Sequence, residues 1–235
     1  MEWASQTPTQ LGLDPRLDAA GINLAGAMSP LRYDALVSPG WRAVEVAPGL
    51  RVRSVVLLAS GGPTFFRAFA RVRGSFAQTR DPLDAYTRRL VGGALAGEDA
   101  LAAYPFERRA GEHADFVALG REAGLGSPSR LGVLVHPRYG PWFALRALVF
   151  CERETMAPQG PLDFAPCEGC PAPCETACHG AALIGERFDV AACATTRRQE
   201  PACALRCDAR RACVFGTSCA YDAEAEAHHM AAIEG

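Results

Sequence analysis

Apolar residues are unevenly distributed along this chain. The strongest β-branched run is Leu50–Ala59 (LRVRSVVLLA), which reads as a buried strand. SGGP breaks it, and Thr64 is placed to cap a helix over FFRAFARV. The Gly61-Gly62 pair reads as a turn, with close approach to a ligand phosphate as the alternative. Asp81-Pro82-Leu83-Asp84 has the form of a helix start, with Asp81 as N-cap, Pro82 at the first helical position and Asp84 reaching back. Leu83, Tyr86 and Leu90 follow at helical spacing. Glu112–Ala123 reads as a further helix stopped by Gly124, with His113 near its start as a cap or a solvated residue. Leu131–Val135 and Trp142–Phe150 are apolar runs joined by HPRYGP, the pattern of an antiparallel hairpin with a rigid turn. The first fifty residues, rich in Gly, Pro and Ala, predict short helices over Asp14–Ala27 and Pro30–Leu36. The tail AYDAEAEAHHMAAIEG reads as a helix, with His228 and His229 as its solvated or packed end.

Cysteine placement changes the picture. All 10 cysteines lie at or after Cys151. Cys167, Cys170, Cys174 and Cys178 follow C-x2-C-x3-C-x3-C, close to the bacterial ferredoxin run, whose fourth cysteine serves the other of two clusters. Cys193, Cys203, Cys207 and Cys213 complete eight thiolates, the number two 4Fe-4S clusters need. A disulfide framework competes, but half the chain has no cysteine, unlike a small stapled domain. A tetrahedral zinc site also competes, since C-x2-C and a nearby His suit it, although zinc sites usually come as two separated pairs. Cys151 and Cys219 read as inert packed thiols.

Charge and composition mostly exclude. The formal net charge is −2, which predicts no general affinity for nucleic acid or anionic membrane. All 24 basic residues are arginine, so neither a phosphate-loop lysine nor a Schiff-base lysine exists. No apolar run reaches membrane-spanning length, and MEWASQTPTQ lacks a signal-peptide design, so the expected location is the cytoplasm. Arg197, Arg198, Arg206, Arg210 and Arg211 lie among the later cysteines, either offsetting anionic clusters, docking a donor protein or forming a solvated face.

Two family resemblances follow from these strings. GVLVHPRYGPWFALRALV resembles the signature hairpin of the cyanocobalamin-processing family, the B12 decyanase/dealkylase whose fold is related to flavin nitroreductases. SVVLLASGGPTFFRAF and DPLDAYTRRLVGG fit the same family in order, so this resemblance covers residues 50–150. It implies that Arg138 helps hold a thiol co-substrate, and that His136, Tyr139, Gly140 and Trp142 join it in binding a cofactor. The cysteine-rich region resembles the two-cluster module of epoxyqueuosine reductases and reductive dehalogenases, as does the stretch ALGREAGLG ahead of the hairpin. That second resemblance implies one cluster on Cys167, Cys170, Cys174 and Cys213, and the other on Cys178, Cys193, Cys203 and Cys207.

Together they imply an α+β architecture. A nitroreductase-like antiparallel sheet with flanking helices, residues 1–150, is expected to bind a corrinoid. A small bacterial-ferredoxin-like domain, residues 151–235, is expected to carry two 4Fe-4S clusters. The implied function is an iron–sulfur-dependent reductase of a corrinoid, fed by an external low-potential ferredoxin or flavodoxin. The alternatives are a reductase that keeps cobalamin as cofactor for an organic substrate, and a non-enzymatic electron carrier or corrinoid chaperone. Nucleic acid and membrane partners are not expected.

Overall fold

The computed structural model of the chain describes residues 6–155, 160–185 and 187–231. Readings made on residues 1–5 and 232–235 fall outside them. The strands are β1 (Leu24–Met28), β2 (Ser54–Gly61), β3 (Ala100–Ala103), β4 (Ser127–Pro128), β5 (Leu134–Val135), β6 (Phe143–Cys151), β7 (Leu183–Ile184) and β8 (Arg187–Phe188). The chain divides into two compact units, Met1–Leu125 with Ala144–Leu162, and Gly126–Phe143 with Asp163–Gly235. Residues 126–143, assigned by sequence to the N-terminal domain, therefore group with the cysteine-rich part.

The first unit is built on a four-stranded sheet of order β1-β2-β6-β3. β1 runs antiparallel to β2 with Leu24 opposite Ala59, and β3 runs antiparallel to β6 with Ala100 opposite Cys151. Every residue of β1 and β2 is buried, which is why SVVLLASG shows no polar alternation. Helices Thr64–Ala70 and Pro82–Ala94 bring Phe65, Phe69 and Tyr86 together, with ring centroids 5.4 and 5.7 Å apart. Tyr33 donates its hydroxyl proton to the Trp41 carbonyl at 2.6 Å, and Trp41 Nε1 donates to Glu112 O at 2.9 Å.

Several expectations are corrected here. The helix over Asp14–Ala27 shrinks to Arg16–Ala19, and the second half of that segment is β1. LAGAM carries no β-branched residue, so propensity did not mark it; pairing with β2 decides its state. Asn23 fixes the register, since its side chain accepts from Gly61 N at 2.7 Å and donates to Gly61 O at 3.1 Å. The Gly61-Gly62 pair is thus a pinned turn. The helix at Pro30–Asp34 forms, with Ser29 accepting from Arg32 N. Thr64 is the first helical residue behind Pro63, not the cap, and Asp81 makes no side-chain cap bond. The helix expected over Glu112–Ala123 is Phe116–Glu122, capped by Asp115, which accepts from Ala118 N at 2.9 Å. His113 lies outside it, where its Nε2 accepts from Arg108 Nε at 2.8 Å.

The second unit holds short elements, among them helices Pro173–Thr176, Val190–Gln199, Pro201–Leu205, Asp208–Arg211 and Ala223–Ala231. The hairpin reading is corrected. β5 pairs with β4, not with β6, and only His136 and Gly140 bridge across the turn, at 2.9 and 2.8 Å. Pro141 has no N–H to carry the ladder further. The unit's buried cluster is Leu131, Cys174, Leu183 and Ala209, with Cys178, Cys207 and Cys213 packed against it.

Candidate metal centres

Two separate recesses in the second unit are each lined by four cysteines. One, of about 310 Å³, is lined by Cys167, Cys170, Cys174 and Cys213, with Arg130 and Phe215. The other, of about 350 Å³, is lined by Cys178, Cys193, Cys203 and Cys207, with Arg197 and Asp208. These are the two quartets that the second resemblance named. The chain crosses over between them: Cys178, on the turn after helix Pro173–Thr176, leaves the company of Cys174, and Cys213 returns to it after helix Asp208–Arg211. Cys151 and Cys219 line neither recess.

The thiols of each quartet are electrically close. Burial pushes Cys174 upward, and neighbouring Cys167 and Cys213 add to it. Burial likewise raises Cys207, opposed by the Arg210 N–H and guanidinium and reinforced by Cys193 and Cys178. Backbone amides point at sulfur in both recesses: Arg130 N to Cys167 Sγ at 3.5 Å, Ala182 N to Cys178 Sγ at 3.4 Å, and Arg210 N to Cys207 Sγ at 3.4 Å. Ala172, inside the cysteine run, and Ala181, just after it, have φ of 53° and 45°, in the left-handed region that alanine rarely adopts.

Four thiolates in one recess are a donor set that zinc and iron–sulfur clusters both take. A zinc ion with Zn–S near 2.3 Å needs its four sulfurs drawn tightly together. Among the described residues, no group of three or more His, Cys, Asp or Glu stands close enough to hold one metal ion. A cubane is an eight-atom body and keeps its thiolates further apart. Four soft thiolates around an apolar recess with sulfur-directed amides fit it.

Charged groups surround the two recesses differently. Arg130 forms an ion pair with Glu175 at 2.6 Å. Arg197 is buried, and its Nη2 donates to the Met230 carbonyl. Arg206 reaches Asp208 at 2.6 Å, and His179 reaches the same carboxylate at 2.8 Å; these partners hold Asp208 below the usual carboxylate range, His179 most of all. Arg210 lies over the rings of Trp142 and Tyr221, 4.7 and 5.0 Å from their centroids, and donates to Pro141 O at 3.1 Å. Arg211 pairs with buried Glu226, whose other oxygen accepts from Cys207 N at 3.1 Å. Of the arginines grouped by sequence, Arg198, Arg206 and Arg211 are exposed.

The hairpin-tip residues assigned to cofactor binding are placed as follows. His136 is buried, and its Nδ1 accepts from the backbone N–H of Arg138 and Tyr139 at 3.0 and 3.1 Å. Burial, then the Arg138 charge, lowers its pKa to about 4. Trp142 is buried under Arg210 and against Tyr221. Gly140 sits at φ 58° against the Phe215 carbonyl. Arg138 is exposed, with its guanidinium 5.3 Å from the Tyr139 ring. Gly140 and Trp142 thus meet the segment that follows Cys213, while His136 is buried within its own turn. The sequence reading passed over Arg130, Glu175, Tyr221 and Glu226. Arg197 stands one helical turn from Cys193 on helix Val190–Gln199, a spacing that was legible; the others come from distant segments.

Comparison with known proteins adds the fold. No family model matches the sequence, and no curated protein is similar to it in sequence. Among solved structures, an epoxyqueuosine reductase from Streptococcus thermophilus aligns with a TM-score of 0.53 and 12% identity over 89% of this chain and 66% of its own. An epoxyqueuosine reductase crystallised with an epoxyqueuosine-modified tRNA-Tyr stem loop gives 0.53 and 14%, with the same coverages. The B12-trafficking protein CblC of C. elegans gives 0.50 and 11% over 88% of this chain and 84% of its own. The chain shares their fold. It combines helices with an antiparallel sheet and spans just under two thirds of the epoxyqueuosine reductases it matches. Among the described residues no helix is long and apolar enough to cross a membrane.

Proposed function

We propose that the protein is an iron–sulfur-dependent reductase that acts on a corrinoid as substrate. The observation that carries this reading is the pair of separate four-cysteine recesses. Cys167, Cys170, Cys174 and Cys213 would hold one 4Fe-4S cluster, and Cys178, Cys193, Cys203 and Cys207 the other, in a ferredoxin-like module. When bound, such clusters supply single electrons at potentials tuned by hydrogen bonds and charge. The chain's own part is to position them. Amides of Arg130, Ala182 and Arg210 point at ligand sulfurs, and the small, cysteine-rich core of this unit gains from cluster binding the stability that packing alone supplies poorly. The fold shared with a B12-trafficking protein supports a corrinoid as the substrate class, and exposed Arg138 is available to an anionic co-substrate. A low-potential ferredoxin or flavodoxin would be the external donor.

A second reading keeps cobalamin as a cofactor for another substrate. The likeness to epoxyqueuosine reductase favours it, and one of those proteins was crystallised with a tRNA stem loop. A net charge of −2 is therefore too coarse a ground for excluding a nucleic-acid partner.

Anaerobic purification with iron, sulfide and corrinoid assay tests both. About eight irons and eight sulfides per chain are expected, followed by single-turnover reduction of cyanocobalamin by chemically reduced protein. Stoichiometric zinc without sulfide overturns the cluster reading. Corrinoid that stays bound and cycles without release supports the second reading over the first. Equal turnover with glutathione as sole reductant, in a Cys170→Ala protein lacking one cluster, excludes the clusters from the reaction.

A further inference from the structure

The two recesses differ in electrostatics although their sulfur ligation is alike. Each has one lining arginine whose Nε is buried without a hydrogen-bond partner, Arg130 in the first and Arg197 in the second. Amide N–H groups also point at sulfur, one in the first recess at 3.5 Å and two in the second at 3.4 Å, and the additional amide acts in the same direction as the charge difference.

Charge does separate them. Arg130 is neutralised by Glu175 at 2.6 Å, and both side chains are partly exposed, at 26% and 33%. Solvent and the carboxylate together screen that cation from the recess. Arg197 is only 6% exposed, and among the described residues it meets a backbone carbonyl but no carboxylate. The other charges around this recess largely cancel. Arg206 and His179 share Asp208, and Arg211 is matched by Glu226. Arg210, also unmatched by a carboxylate, is drawn to the Trp142 and Tyr221 rings and to Pro141 O. Its charge has the same sign of effect as that of Arg197. Among the described residues the second recess thus faces a buried cation without a carboxylate partner, and the first does not.

We propose that Arg197 is a positioning residue for electron flow: its buried charge, which meets no carboxylate among the described residues, sets the Cys178–Cys193–Cys203–Cys207 site at a higher reduction potential than the Cys167–Cys170–Cys174–Cys213 site. A reduced cluster carries one more negative charge than an oxidised one, and a nearby buried cation stabilises the reduced state. An electron shared between the two sites then rests on the second. No bond or proton moves; one site is oxidised by losing the single electron that the other gains. This inference rests on the two-cluster reading.

The test is an EPR-monitored redox titration of anaerobically purified protein, with spectra of the two sites told apart in a Cys213→Ala protein. The second site is expected to reduce first. Arg197→Met is expected to shift the equilibrium between the sites at least tenfold toward the first, or 59 mV for one electron. Arg197→Lys keeps the charge and is expected to restore most of the shift. Glu175→Gln unmasks Arg130 and is expected to raise the first site's potential without touching the second. Equal shifts in Arg197→Met and Arg197→Lys would make the residue a structural anchor of Met230 and overturn the proposal, as would two sites of equal potential in the unsubstituted protein. Absence of iron and sulfide would instead refute the cluster reading itself.

Discussion

Gly140 and Gly216 stand backbone to backbone. A Cβ on Gly140 would lie 2.1 Å from the Phe215 carbonyl oxygen, and one on Gly216 would lie 2.2 Å from the Tyr139 carbonyl. Both glycines have positive φ, 58° and 66°. Gly140→Ala and Gly216→Ala are therefore each expected to cost about 1–2 kcal/mol for left-handed backbone alone, with the backbone overlap added. The segment they lock follows Cys213 directly, so each variant should lose iron faster from the first recess than from the second. Chelator-release kinetics followed by EPR check this; equal loss from both recesses would refute it.

The quartets predict which cysteines fail together. Cys174→Ala and Cys213→Ala should abolish the same EPR signal, and Cys178→Ala and Cys193→Ala the other. Cys151→Ala and Cys219→Ala should leave both signals intact. If Cys219→Ala removed a full cluster while Cys213→Ala kept both, the grouping would be wrong.

His136 predicts a pH dependence of stability. Its Nδ1 accepts two backbone N–H groups, so the neutral ring must carry its proton on Nε2. Burial holds the folded pKa near 4, below the ordinary 6.5. Between those values the unfolded chain binds the extra proton and the folded one does not. The stabilising contribution is complete above pH 6.5 and falls as pH drops toward 4, by about 3 kcal/mol in all. Urea midpoints of the unsubstituted protein should fall across that window more steeply than those of His136→Gln. Parallel curves would show that the ring titrates normally.

Glu226 predicts a role for the helix Ala223–Ala231. Its buried carboxylate joins Arg211 to the Cys207 amide. Glu226→Ala leaves both partners unsatisfied and should lower stability by about 3 kcal/mol, whereas Glu226→Gln keeps an acceptor and should cost about half as much. Thermal unfolding measures the difference, and identical losses would remove the hydrogen bond to Cys207 N from the account.

What the sequence revealed depended on whether the signal was local. The β-branched run at β2 and the proline start of helix Pro82–Ala94 were readable because propensity and tertiary contacts agree there. β1 was not, because LAGAM acquires its state only by pairing with β2. The resemblance to the epoxyqueuosine reductase module implied two groups of four cysteines, and the same groups line the two recesses. His136 and Trp142 were expected to bind a cofactor from the resemblance of their hairpin to the cyanocobalamin-processing family, a signal that carries no information on burial. Trp142 packs against Tyr221 and under Arg210, which lie far along the chain, and His136 is held by backbone amides of its own turn.

The second unit is assembled from 126–143 and 163–235, with 144–162 belonging to the first. Leu131 and Cys174 share one apolar cluster across that interruption. A graft or gene fusion cut at residue 150 would therefore transfer every cysteine yet leave behind Leu131, Trp142 and the Gly140 seat. Recombination that moved this module intact between chains would have to carry two separate stretches at once, so its inheritance is tied to that of the sheet through which it is threaded.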